Sequence, residues 1–214
     1  LGLGEKPDDD PREWNQGPLH SVPDDPTYLV YEPAVSVPAW RRFITTCVRM
    51  VAECGYDGVF LDVNSYHATK EIDRLAFVEY LTDRYSAEDR MALFGFDTAS
   101  DVCFGEESDS LLWFETLRYR ACAMGQLFTE LRDAGREHNP DFWVYPNNSP
   151  VNTIYGFYDR CTEGQQIQYI HPACKYIMFE DMEQPGRCGA DRISDHIMQY
   201  RYALAHGARA AVLP

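Results

Sequence analysis

Three short apolar runs in this chain each end in a pair of polar residues able to do chemistry. Asp62 and Asn64 follow Gly58-Val59-Phe60-Leu61, Asn147 and Asn148 follow Phe142-Trp143-Val144-Tyr145, and Glu180 and Asp181 follow Tyr176-Ile177-Met178-Phe179. A continuous apolar run bounded by turn residues reads as a strand buried on both faces, as in a parallel sheet. Burying Asp62 inside such a sheet would be costly, so the carboxylate is expected where the strand emerges into a cleft. A single Asp or Asn after a strand is as readily a helix cap or an Asx turn. Three such clusters at the same end of neighbouring strands are harder to explain as turns alone. Two carboxylates facing one another across a cleft suit glycosidic cleavage: one stays ionised as nucleophile or base, and the other holds a proton for the leaving oxygen. Asparagines between them can hold sugar hydroxyls and orient the ring.

Other residues compete for places in that cleft. Tyr66 and His67 follow Asp62 closely and are candidates to line it, although His67 is equally suited to opening the next helix. Glu32 ends an earlier strand and is a candidate substrate ligand, with Pro33 beside it arguing equally for a plain turn. His171 reads as a loop residue and Trp143 as core. Glu180 and Asp181 compete for one role, because adjacent strand residues point to opposite faces; Glu180 is preferred as the second catalytic carboxylate, with Asp181 left to bind substrate. The same acids admit a different chemistry, in which Asp62, Glu180, Asp181 and Glu183 ligate a divalent cation through oxygen. The sequence has no His-x-His or His-Glu-x-x-His pattern, which counts against zinc. A third reading is a carbohydrate-binding barrel without catalysis. The preferred reading needs no cofactor and no metal.

The elements that must position these residues follow from punctuation and periodicity. Residues 1–26, rich in Pro, Asp and Gly, read as an irregular segment. A first strand is expected at Thr27–Tyr31. A helix follows, with Ser36 as N-cap, Pro38 in its first turn, and Trp40, Phe43, Ile44, Cys47, Val51 and Cys54 on one apolar face. After Asn64, the pattern predicts a helix near Glu71–Tyr85, a short one opened by Ser86, and a long one over about Asp109–Glu137. The long helix carries Phe114, Leu117, Ala121, Met124, Phe128 and Leu131 as a core-facing stripe. Past the third polar pair, a helix at Asp191–Ala205 places Ile193, Ile197, Tyr200 and Leu204 on one face, and Ala210–Leu213 is a final strand. Alternation of strands and helices with strand starts roughly thirty residues apart implies a parallel sheet with right-handed crossovers. Five strands do not close an eight-stranded barrel, and no G-x-G-x-x-G or Walker loop marks an open nucleotide-binding sheet. The expected fold class is therefore α/β, a (β/α)8 TIM barrel of which residues 27–214 supply about five βα units. Asp62 would then sit on the carboxyl-terminal rim where barrels mount catalysis.

Composition bounds the partners. With 214 residues, 45% hydrophobic and 25% charged, the chain can bury a substantial core. A net charge of −15, from 34 acidic against 19 basic residues, disfavours nucleic acid and anionic membrane surfaces. Aromatics at 14% are plentiful enough for core and for stacking on sugar faces. The seven cysteines include no C-x-x-C pair and leave the compartment open. Cys47, Cys54 and Cys122 read as helix thiols, and pairing among Cys103, Cys161, Cys174 and Cys188 has no spacing signature to support it. No apolar run is long enough to span a membrane, and no basic-then-apolar leader opens the chain. Leu1 at the start and an apolar run stopping at Pro214 read as part of a longer protein.

The segment Tyr56-Asp57-Gly58-Val59-Phe60-Leu61-Asp62 resembles the G-x-D-G-[IV]-[FW]-x-D strand of barrel glycoside hydrolases, including α-fucosidase-like and α-galactosidase-like enzymes. Leu93-Phe94-Gly95-Phe96, Trp113-Phe114-Glu115 and Asn139-Pro140-Asp141-Phe142 resemble glycosyl hydrolases related to the family 42 β-galactosidases, and the likeness runs from about Tyr28 to Pro214. In the α-galactosidase-like group the strand-four aspartate is the nucleophile and strand six supplies the acid/base. If Thr27–Tyr31 is strand three, the resemblance implies Asp62 as nucleophile and Glu180 as acid/base of a retaining glycosidase acting on oligo- or polysaccharide. The family 42 pair does not transfer. Where that family has Asn-Glu after strand four, this chain has Asp62-Val63-Asn64, and the glutamate expected after strand seven would fall beyond Leu213-Pro214.

Overall fold

The structure is a computed structural model that describes residues 20–22, 25–30, 34–62, 66, 71–96, 104, 110–148, 161–180, 186–187, 193–194 and 197–213. The chain forms two compact units, one of residues 1–43 and 67–119, the other of residues 44–66 and 120–214.

In the first unit, β1 (His20–Val22) and β2 (Asp25–Val30) form an antiparallel pair closed by Val22 opposite Asp25. The strand expected at Thr27–Tyr31 is therefore present, shifted by two residues, but its partner is a strand inside the segment read as irregular. Short spacing between two extended runs favours a hairpin, and the Pro and Asp content of residues 1–26 hid it. Helix α1 (Pro38–Glu53) starts with proline at its first position, as expected. Its first turn closes on the Val37 carbonyl, which accepts from the Arg41 N–H at 3.1 Å. Ser36 is thus one residue too early to cap the helix, and its hydroxyl donates to Asp73 of α2 (Glu71–Arg84) instead. Helix α3 (Ala87–Phe94) opens at Ser86 with a capping box, Ser86 accepting from the Asp89 N–H at 3.1 Å and Asp89 from the Ser86 N–H at 3.4 Å.

Phe77, Leu81 and Tyr119 form the core of this unit, with Phe77 stacked on Phe104 at 5.1 Å and tilted against Tyr119 at 5.3 Å. Beside them lies a carboxylate that burial would penalise unless it were satisfied. Glu115, only 2% exposed, accepts from the Tyr80 hydroxyl at 2.9 Å, the Tyr85 hydroxyl at 2.9 Å and Arg118 Nη1 at 2.7 Å, with Arg84 Nε at 3.5 Å.

The second unit holds a four-stranded parallel sheet in the order β3 (Gly58–Leu61), β4 (Trp143–Asn148), β5 (Tyr176–Glu180), β8 (Arg209–Leu213). Gly58 pairs with Trp143, Leu61 with Pro146, Asn147 with Met178, and Met178 with Ala211. This is the expected α/β architecture with four parallel strands rather than five among the described residues, because β2 pairs elsewhere. Gly58 is required by a close approach: a Cβ there would come within 2.4 Å of the Trp143 carbonyl oxygen.

Within this chain one face of the sheet is buried. Val144, Ile177 and Phe179 are buried, together with Ala121, Met124, Phe128 and Leu131 of α4 (Leu111–Arg136), whose stripe runs as predicted from Ala121 onward. On the alternate positions, Phe60, Trp143 and Tyr176 are 37–41% exposed. Trp143 lies on the sheet face that this chain itself leaves uncovered. It stacks on Tyr145 at 4.7 Å and meets Tyr176 edge-on at 6.0 Å, while Phe60 lies 4.9 Å from Tyr145, giving an aromatic string across three strands.

Three helical expectations are corrected by burial or extent. Phe43 and Cys54 of the predicted α1 face are exposed, and α1 buries Ala39, Val48 and Ala52; Phe114 at the head of the α4 stripe is exposed as well. The helix expected at Asp191–Ala205 is α6 (Ile197–Ala205), preceded by β6 (Gly186–Arg187) paired antiparallel with β7 (Ile193–Ser194). It buries Gln199 and Ala203 and leaves Ile197, Met198, Tyr200 and Leu204 exposed. Periodicity located these apolar faces, but which face is covered depends on neighbours far along the chain.

Candidate functional site

Asp62 is the residue after β3, exposed at the carboxyl end of the strand. The register that pairs Leu61 with Pro146 brings Asp62 level with Asn147, and Asn147 Nδ2 donates to Asp62 Oδ1 at 2.9 Å. Asn147 and Asn148 lie inside β4 and not after it, and both are buried. Strand alternation separates their tasks. Asn147 shares the face of Tyr145 and reaches Asp62, whereas Asn148 donates through Nδ2 to the Gln165 carbonyl at 3.5 Å.

Residues that follow β3 and β4 are tied to one another beside these strands. Tyr66, a candidate to line the cleft, is fully buried; its N–H donates to the Glu163 carbonyl at 2.9 Å. Gln165, also buried, donates through Nε2 to Glu163 Oε2 at 3.2 Å. Glu163 is half-buried. Neither Glu163 nor Gln165 stood out in the sequence, since the stretch before them lacks periodicity. The nearest signal is Gly164, whose φ of +77° marks a turn that other residues rarely adopt.

Glu180 is the last residue of β5, opposite Leu213 and two positions beyond Met178. Glu32, Asn64, His67, Asp181 and Glu183 lie outside the described residues. His171 follows the short helix α5 (Ile167–Ile170) in a turn, as expected of a loop residue. Among the described residues no group of three or more His, Cys, Asp or Glu side chains converges to hold a metal ion. No described helix is long and apolar enough to cross a membrane. Cys161 and Cys174, two of the cysteines considered for pairing, carry free thiols.

A cavity of about 590 Å³ opens on the same sheet face at its other end, lined by Arg136, Trp143, Lys175, Tyr176 and Met178 among others. Trp143 and Tyr176 begin their strands. In parallel barrels that end carries stability, and the carboxyl ends carry chemistry. The polar cluster around Asp62, at the carboxyl end, is therefore the candidate site.

No protein-family model matches the chain, and no curated protein matches it in sequence. Solved structures do. The catalytic domain of a β-amylase from Paenibacillus polymyxa aligns with a TM-score of 0.64 at 15% identity, over 86% of this chain and 58% of that one. A β-galactosidase from Bacillus circulans sp. alkalophilus aligns with a TM-score of 0.56 at 14% identity, over 84% and 34%. An agarase aligns with a TM-score of 0.55 at 12% identity, over 85% and 28%. At such identities the likeness is one of fold, and this chain spans little more than half the length of the β-amylase domain and less of the others. The structures it resembles are glycoside hydrolases.

Proposed function

We propose that this chain is part of a (β/α)8-barrel glycoside hydrolase that cleaves O-glycosyl bonds in oligo- or polysaccharide with retention. Asp62 is the nucleophile and Glu180 the general acid/base. The observation that carries the reading is the hydrogen bond from Asn147 to Asp62, which holds a carboxylate at the carboxyl end of a parallel strand. It stands in a fold whose solved likenesses are glycosidases.

In the first step the Asp62 carboxylate attacks the anomeric carbon, while Glu180 gives its proton to the departing glycosidic oxygen. In the second step the Glu180 carboxylate takes a proton from water, whose oxygen displaces Asp62 from the sugar and leaves both groups as they began. Retention needs carboxyl groups roughly 5–5.5 Å apart. Two strand spacings put β3 and β5 about 9.5 Å apart across the sheet, and two residues along a strand add about 6.5 Å. The reading requires the two side chains to close the remaining distance, and the anomer of the first product reports whether they do. Asn147 fixes the Asp62 carboxylate, which removes rotational freedom that would otherwise be lost at the transition state.

The test is a panel of aryl glycosides offered to the full-length protein, with Asp62→Asn and Glu180→Gln as controls. Hydrolysis is expected in the parent and a fall of about a thousandfold or more in Asp62→Asn, the scale on which removing a catalytic nucleophile acts. Undiminished hydrolysis in both variants rejects the assignment. Sugar binding without hydrolysis by the parent protein would leave a carbohydrate-binding barrel in its place.

A further inference from the structure

We infer that Tyr145 is a substrate-binding residue at the floor of the Asp62 site, donating from its hydroxyl to an oxygen of the sugar that Asp62 attacks. The inference rests on the carbohydrate reading of the site, and it adds a residue that no polar strand end marks.

Register carries the placement. Phe60 pairs with Tyr145 and Leu61 with Pro146, so the next rung of the same ladder is Asp62 beside Asn147, joined by the 2.9 Å hydrogen bond. Side chains two apart on a strand share a face and stand about 6.5 Å from one another. Phe60 and Asp62 therefore leave β3 on one face, and Tyr145 and Asn147 leave β4 on the same one. The Phe60 and Tyr145 rings meet across the two strands at 4.9 Å, as that shared face requires. An aromatic rung thus lies directly beneath the polar one, on the face opposite buried Val144 and Phe179.

Space is the second argument. The cavity of about 590 Å³ is lined by Tyr145 and Met178 as well as by Trp143. Met178 is the register partner of Asn147, so the open volume runs from the start of β4 up to the level of Asp62. For a ligand seated at Asp62 on this face, Tyr145 is the next side chain below Asn147.

The third argument is the side chain itself. Its ring is set between Phe60 and Trp143, the latter 4.7 Å away and 29° from parallel, which fixes its direction. Tyr145 is half-buried, and its hydroxyl bonds to no other side chain among the described residues. A phenol is apolar along its ring and polar at its tip, which suits a sugar with C–H faces and a rim of hydroxyls. Ligand sites share this composition, aromatic walls with a few convergent polar groups. A ring already held loses little freedom when ligand arrives. The plain alternative is that the ring is filler, covered by apolar side chains from outside this chain, as the inner layers of a barrel are.

Tyr145→Phe separates the two, because it keeps the ring stack and removes only the hydroxyl. Binding of the aryl-glycoside panel is measured by calorimetry on the full-length protein, its Asp62→Asn form and its Tyr145→Phe form, alongside steady-state hydrolysis and urea denaturation. Losing one neutral hydrogen bond to ligand should weaken binding and raise KM by about three- to tenfold in Tyr145→Phe, with a smaller change in kcat and a parent-like urea midpoint. Asp62→Asn should still bind while hydrolysis fails. Weakened binding in Tyr145→Phe by a protein that hydrolyses nothing upholds Tyr145 and sinks the hydrolase reading. Unchanged affinity and KM in Tyr145→Phe, or weakened binding matched by a lowered urea midpoint, overturns the assignment in favour of packing. No glycoside bound by the parent protein overturns it together with the carbohydrate reading.

Discussion

Asn147 and Asp62 stand on adjacent parallel strands at the same level, and the amide Nδ2 of one donates to the carboxylate Oδ1 of the other at 2.9 Å. Because Asn147 is buried and Asp62 exposed, the bond couples a fixed group to an accessible one. Its role in the proposed reaction is orientation. Asn147→Ala should lower kcat by about 10- to 100-fold with little change in KM, the penalty for letting a reacting group drift by about an ångström. Asn147→Asp should be worse, since it sets two like charges at hydrogen-bond distance. Steady-state kinetics on the best substrate of the panel decides the matter, and a KM effect without a kcat effect would assign Asn147 to binding.

Glu115 makes a different use of a carboxylate. It takes two tyrosine hydroxyls and two arginines while almost wholly buried, and each partner lies within the first unit. The Tyr85 side chain beside Arg84 holds that guanidinium above its usual range, an effect that burial partly opposes and that the neighbouring Tyr80 and Glu115 reinforce. Such a cluster stabilises when complete and is costly when broken. Glu115→Gln, which keeps the shape and removes the charge, should cost about 2–3 kcal/mol, and Tyr80→Phe or Tyr85→Phe about 1 kcal/mol each. Urea denaturation read by tyrosine and tryptophan fluorescence gives these values. Hydrolysis remaining in the Glu115→Gln protein under native conditions would confirm that this carboxylate serves the fold and not the reaction.

What the amino-acid order reveals, and what it conceals, follows from range. The Ser86 capping box lies within four residues and is legible, as are the extents of α2 and α4 and the polar ends of β3, β4 and β5. Apolar runs also located the strands. They did not disclose which sheet face the helices cover, because a strand's two faces can carry the same aromatic and branched residues. Nor could they assign the partner of residues 25–30, since an extended segment pairs as well with a hairpin neighbour as with a distant parallel strand. Glu163 was hidden for a related reason. Its place is set by Tyr66 and by the tie of Gln165 to Asn148, both distant along the chain except through the fold, and no local period records such tethers.

Gly58 offers a test of the sheet register itself. It faces Trp143 across β3 and β4, and the obstruction to a Cβ is the Trp143 backbone carbonyl at 2.4 Å together with its indole ring at 2.7 Å. A flexible side chain could move aside, but a carbonyl engaged in the strand cannot. Gly58→Ala should therefore destabilise by about 1–3 kcal/mol, the usual cost of forcing a methyl group into filled space. It should also shift the emission of the exposed Trp143. A variant with parent-like urea midpoint and spectrum would show that β3 and β4 approach less closely at this point.

Cys174 and Cys54 should differ sharply toward thiol reagents. Cys54 is exposed in the turn after α1, whereas Cys174 is fully buried and burial pushes its thiol well above the ordinary range, only partly opposed by the positive charge of Arg132. The thiolate is the reactive form, so at pH 8 an aromatic disulfide reagent should modify Cys54 within minutes and Cys174 only after denaturant unfolds the chain. The same shift has a consequence for stability. Above about pH 8.5 the unfolded chain releases the Cys174 proton while the folded chain keeps it, so folding stability is intact below that pH and falls as pH rises, by at most about 1.4 kcal/mol per unit from this group. Cys174→Ala removes the titration, although it opens a small cavity, and its urea midpoint should decline less steeply between pH 8.5 and 10 than that of the parent. Parallel declines would mean that Cys174 reaches solvent in the folded protein.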